Sequence, residues 1–188
     1  VPMTAMRGYG DGNNLQDWLN NYIFPVEARW DDRAVRSCTA LGLAEMIASG
    51  VTTIADMYMH TDIIAQEVAS AGISANLSCG GVQFSDTLDP ATHGDCVAQR
   101  ELTEKWHNYN DGQIRIDASI HGEYTSHKEL WQWMAGYARE HDLGMHVHIS
   151  ETKAEHEACM ARHGKTPIQV LNDYGVWDTR AIAAHCVW

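Results

Sequence analysis

His148-Ile149-Ser150-Glu151 and, roughly one βα repeat later, Ala184-His185-Cys186 are the residues best placed to do chemistry. His148 falls at the end of a short apolar run beginning at Leu143, and His185 ends a second run beginning at Ala181. A neutral imidazole is the commonest zinc ligand. An unligated glutamate nearby can carry the proton that a metal-activated water gives up. A histidine at one strand's end, Glu151 three residues on and a histidine at the next strand's tip are therefore parts of a water-activating metal site. That chemistry is hydrolysis or deamination. Each residue also has a plainer reading. Glu151 can be an acid favoured at a helix N-terminus, and His185 a buried imidazole with satisfied hydrogen bonds. Alternation puts His146 on the same face as His148. His148 is the ligand expected, because ligands belong near a strand's open end, and His146 is read as filling the sheet interior.

The elements that must position these residues alternate along the chain. Asp31-Asp32 can cap a helix with Val35, Thr39, Leu43, Met46 and Ile47 on one face, ended by Gly50. Strands are expected at Val51 to Asp56, Ile73 to Ser78, Ile114 to Ile120, through His146 and His148, and at Ala181 to His185. Helices are expected near Thr61 to Ala71, Asp95 to Tyr109, Ser126 to His141, through His156 and Met160, and after Pro167. Five strands, each but the last followed by helix, suit parallel right-handed βαβ units. No glycine-rich phosphate loop follows any strand, which disfavours a nucleotide-binding doubly wound sheet. Polar residues recur at strand ends instead, as they do at the mouth of a (β/α)8 barrel. Asp56 reads as a cap of the turn after its strand in preference to a metal ligand, and Trp106, Trp131 and Trp133 as core.

Composition narrows the partners. The chain has 188 residues, 45% hydrophobic and 20% charged, enough for one domain with a core. A formal net charge of −12 opposes binding to a nucleic-acid backbone or an anionic membrane, while leaving small nucleosides open. The five scattered cysteines lack CxxC spacing and read as thiols of a reduced, cytoplasmic protein. Among the 11 histidines, His93, His107, His127, His141, His156 and His163 read as solvated.

Six stretches together carry a resemblance: Met3 to Gly8, Asp17-Trp18-Leu19, Phe24-Pro25-Val26-Glu27, Gly50 to Tyr58, His148 to Thr152, and Ile182 to Val187. In that order and spacing, over nearly the whole chain, they resemble the amidohydrolase superfamily. Within it they look like the 5-methylthioadenosine/S-adenosylhomocysteine deaminase group and related chlorohydrolases. The resemblance implies an α/β fold, a segment (about strands 2 to 6) of a TIM-type (β/α)8 barrel, with residues 1–188 lacking the first and last strands. It implies one divalent metal, zinc first, with iron or manganese as alternatives. His148 matches the fifth-strand metal ligand, Glu151 the proton-shuttling acid that also touches substrate, and His185 the histidine that orients the attacking water. His121 matches a purine-contacting histidine, Glu27 an acid on the ribose hydroxyls, and Trp18 a wall of the nucleoside pocket. The implied reaction is hydrolytic deamination of an adenine-type nucleoside, with guanine deamination, chlorotriazine hydrolysis or a non-catalytic copy as rivals. The implied partner is that small molecule, with homo-oligomerisation left open.

The departures are specific. The family's first-strand His-x-His pair would precede Val1, and its eighth-strand aspartate would follow Trp188. Cys79 stands where homocysteine-binding members carry an arginine, and the next arginine is Arg100. His121-Gly122-Glu123-Tyr124 replaces a His-Ala-Pro-Tyr or His-Ser-Pro-Tyr, which is expected to put an extra acid near the pocket.

Overall fold

β-branched and apolar runs form the strands, as their sequence predicts: β1 (Thr53–Met57), β2 (Ser74–Ser78), β3 (Ile114–Ile116), β4 (Ala118–Ile120), β5 (Met145–Ile149) and β6 (Ala181–His185). They belong to a computed structural model that describes residues 1–188. Between and before them lie α1 (Leu15–Trp18), α2 (Phe24–Glu27), α3 (Asp32–Ala48), α4 (Thr61–Ala71), α5 (Gly94–Trp106), the short turn α6 (Tyr109–Gly112), α7 (Lys128–Glu140), α8 (Lys153–His163) and α9 (Pro167–Asp173). Every pairing between strands is parallel, in the orders β1-β2-β3 and β4-β5-β6.

One expected strand, Ile114 to Ile120, is two. The Asp117 N–H donates to the Leu77 carbonyl at 3.1 Å, whereas the Ala118 N–H donates to the Gly144 carbonyl at 2.9 Å. The segment thus leaves β2 and joins β5 at Asp117. The Asp117 carboxylate is buried and accepts from Asn76 Nδ2 at 2.6 Å and from the Gly144 N–H at 2.9 Å. Any Cβ at Gly144 would sit 2.7 Å from Asp117 Oδ1, so only glycine fits there. Beyond the switch the halves meet again: Gly81 bridges Ile120 in parallel, and the His121 N–H donates to the Gly81 carbonyl at 2.8 Å. The six strands therefore form one curved parallel wall with helices following its strands, a segment of a (β/α)8 barrel.

Two apolar clusters lie against this wall. One joins α3 and α4 to β1, β2 and β3 through Val35, Leu43, Ile64, Val68 and Leu77, and the other joins α7 to β4 and β5 through Leu130, Met134, Ile120 and Val147. The Asp31 side chain caps α3, accepting from the Ala34 N–H at 2.8 Å. Val35, Thr39 and Leu43 are buried as their spacing requires, but Ile47 is 46% exposed because it has turned off the packed face. Trp106 and Trp131 are core, while Trp133 is only partly buried and stacks on Tyr137 with centroids 5.1 Å apart. No helix is long and apolar enough to cross a membrane.

Candidate active site

The carboxyl ends of β4, β5 and β6 bring four predicted residues together: His121, His148, Glu151 and His185. The rings of His148 and His185 stack with centroids 5.4 Å apart, and His121 lies 5.0 Å from His148. His185 Nε2 is 3.6 Å from Glu151 Oε1. His148 Nδ1 is 3.0 Å from the His121 carbonyl oxygen. A carbonyl only accepts, so Nδ1 carries the proton and Nε2 keeps its lone pair free. Burial lowers the His148 pKa, with His185 adding to the effect against the raising influence of that backbone bond. The imidazole is thereby held neutral, the form that binds a metal.

Backbone geometry aims these groups. Ser150 (φ 51°), His185 (φ 79°) and Cys186 (φ 51°) all occupy the left-handed region, which costs a non-glycine residue about 1–2 kcal/mol. Cys186 and Val187 donate N–H bonds to the carbonyls of Ile149 and Ser150, both at 3.0 Å, so the ends of β5 and β6 brace each other. Glu155 clamps the same turn. Its Oε1 accepts from the Ser150 N–H and its Oε2 from the Glu151 N–H, each at 2.9 Å, within a capping box formed with Thr152. Glu155 went unnoticed in the sequence, although Thr-x-x-Glu before α8 is the signal that finds it. Glu155→Ala is expected to cost about 2–3 kcal/mol in a urea melt, from the lost cap and the backbone donors left buried.

The other residues divide. His121 is half-buried, with Nδ1 3.1 Å from Thr125 Oγ1. Burial, then His148, pushes its pKa down to about 4, so it too is neutral. His146 is buried with Nδ1 3.1 Å from Ser78 Oγ, an interior residue with a partner of its own. Glu27 is 6% exposed and accepts from the Tyr58 hydroxyl just past β1, which brings it to the carboxyl ends of the strands. Burial raises its pKa and the tyrosine bond opposes that rise. Trp18 is half-buried; its Nε1 donates to the Tyr9 carbonyl at 2.9 Å, and nothing in the structure links it to the histidine cluster.

Three expectations need correction. Glu123 does not enter the pocket: it is buried against α8, paired with Arg162 and His163. Asp56 caps no turn; it lies half-buried within β1. Several histidines read as solvated are not. His107 Nδ1 accepts from the Ile116 N–H at 3.2 Å, and His93 and His156 each bury an Nδ1 without a partner.

Beside Cys79 lies a cavity of about 580 Å³ whose lining includes Asp62, Asp95, Glu101 and Lys105. Lys105 Nζ sits 2.5 Å from Asp62 Oδ1, which leaves Asp95 and Glu101 to give the cavity a negative character.

Comparison with known proteins agrees with this architecture. A family profile described as "Amidohydrolase family" matches residues 1–188. The 5'-deoxyadenosine deaminase of Methanothermobacter thermautotrophicus is 37% identical over 188 residues, covering 100% of this chain and 44% of that protein. The 5-methylthioadenosine/S-adenosylhomocysteine deaminase of Thermoanaerobacter pseudethanolicus is 37% identical over 186 residues, 98% of this chain and 42% of that protein. The chain thus spans less than half the length of these curated relatives. A zinc-bound crystal structure of an adenosine deaminase from Xanthomonas campestris matches with a TM-score of 0.87 at 28% identity, over 98% of this chain and 42% of that one. Guanine deaminase from C. acetobutylicum shares the fold, with a TM-score of 0.87 at 20% identity over 99% of this chain and 46% of that one. A parallel barrel wall, matched over its whole length by the family profile, makes this chain a member of the amidohydrolase family.

Proposed function

We propose that residues 1–188 form about strands 2 to 6 of a barrel whose work is hydrolytic deamination of an adenine-type nucleoside. The observation that carries this reading is the free Nε2 of His148, fixed by the bond from Nδ1 to the His121 carbonyl, beside Glu151 and His185. A neutral imidazole with one aimed lone pair fits a divalent metal, and zinc is the ion bound in the similar Xanthomonas campestris deaminase. Bound there, such an ion supplies Lewis acidity that makes water acidic near neutral pH.

The chain's own residues do the rest. Glu151 takes a proton from the attacking water and delivers it to the ring nitrogen beside the amine-bearing carbon. His185, stacked on His148 and facing Glu151, orients the water as it adds to that carbon; the second water proton then passes to the amine, which leaves as ammonia while the carbonyl forms. His121, kept neutral, offers an imidazole edge to the purine. Glu27 receives the ribose hydroxyls, which favours a nucleoside over guanine or a chlorotriazine. Trp18 is assigned to the pocket wall through the resemblance alone. Cys79, standing where homocysteine-binding members carry an arginine, supports a neutral 5' group, as in methylthioadenosine or adenosine, over the carboxylate of S-adenosylhomocysteine. The five free thiols support a reducing, cytoplasmic setting.

The test is ammonia release, with this segment in a complete barrel, from adenosine, methylthioadenosine, S-adenosylhomocysteine, guanine and a chlorotriazine. The neutral nucleosides should lead S-adenosylhomocysteine by roughly tenfold or more in kcat/KM, since no arginine at position 79 pairs with the carboxylate. Turnover of guanine or triazine with the nucleosides inert would overturn the assignment.

A further inference from the structure

A second group of metal-competent side chains lies where the loop after β4 meets α8. Cys159 and His163 are one helical turn apart and share a face of α8, and Glu123 approaches from the loop. One ligand atom from each lies within 4.8 Å of the other two. We propose that Glu123, Cys159 and His163 bind a divalent cation of the zinc class, at a site separate from His148. Thiolate, imidazole and carboxylate together are zinc-selecting donors.

The surroundings are those of a built site. Glu123 Oε1 is 2.9 Å from His163 Nε2, while Arg162 pairs with Oε2. Arg162 therefore orients the carboxylate as an outer partner and leaves Oε1 to the cation. The His163 ring is held edge-on by Trp131, with centroids 6.3 Å apart. An ion pair of Glu123 with Arg162 and His163 would need no thiol, yet Cys159 is fully buried beside the pair. Its Sγ otherwise meets only the Lys165 carbonyl, at 3.5 Å. Burial first, and then Glu123, push the thiol pKa up to about 12. Without a cation the group is thus a neutral thiol against a buried carboxylate. With one, the sulfur–metal bond replaces the S–H bond and the proton leaves to solvent. His163 also borders a cleft of about 340 Å³ together with His127 and Asp86.

Titrating the 188-residue chain with Co²⁺ tests this, because thiolate-to-cobalt charge transfer absorbs in the near ultraviolet and nitrogen or oxygen ligands do not. The band should appear, and its apparent affinity should rise up to about tenfold per pH unit, for one proton released. Cys159→Ser should abolish it, Cys186→Ser beside His185 should leave it unchanged, and Glu123→Gln should weaken binding at least about tenfold. Absence of the band, or its survival in Cys159→Ser, would overturn the proposal. Should Cys159→Ser fail to fold, zinc X-ray absorption on the unaltered chain decides: one sulfur at about 2.3 Å supports the site, and nitrogen and oxygen scatterers alone refute it.

Discussion

Glu151→Gln, made with this segment in a complete barrel, should lower kcat by about 10²–10⁴-fold, the usual contribution of a general acid–base group. Metal content and melting temperature should stay at parental values. The substitution keeps the side chain's length and shape, and the Glu155 clamp that holds the residue's backbone is untouched. What is lost is a basic oxygen 3.6 Å from His185 Nε2. An amide can still hydrogen-bond a water, but it cannot take the proton and hand it on. Metal analysis and steady-state kinetics on one preparation check this together. Turnover near that of the parent would remove Glu151 from the reaction and leave it an acid at the start of α8.

His148→Ala should lose the metal. Removing a ligand should exceed the roughly 10–100-fold loss of affinity typical of outer-shell changes, and activity should fall to background. The informative control is His146→Ala, on the same strand and the same face. His146 is engaged by Ser78 inside the sheet, so its removal should lower stability while leaving bound metal intact. Elemental analysis of the two variants separates the roles, and if His146→Ala were the one to lose metal the assignment would reverse.

Much of this architecture was readable from residue order because it rests on local rules. Gly50 and Gly72 follow helices, Asp31 caps one, and the β-branched run to Ile54 forms a strand. The break at Asp117 was not readable. Ile114, Ile116, Ala118 and Ile120 alternate without a fault, and only Asn76 and Gly144, distant in sequence, reveal that the segment changes neighbours. The helical run 15–27 was hidden for a similar reason: Pro25 looks like a breaker, yet the run reaches it through a π-helical turn at Leu19–Ile23, an irregularity that accommodates a residue without an N–H. At the site, the tips of β5 and β6 announced His148 and His185, whereas the direction of Glu123 depended on where α8 would place Arg162 and His163. Partial burial of His93, His107 and His156 follows from tertiary packing that polar flanking residues disguise.

The left-handed backbone at Ser150, His185 and Cys186 bears on how this molecule would drift. On conformational grounds alone each position suits glycine, and relieving one such position is worth of order 1 kcal/mol. Selection for thermal robustness without a demand for turnover would therefore tend to replace His185 well before it disturbed a core leucine. Persistence of an imidazole at so uncomfortable a position would itself record that the chemistry is being used.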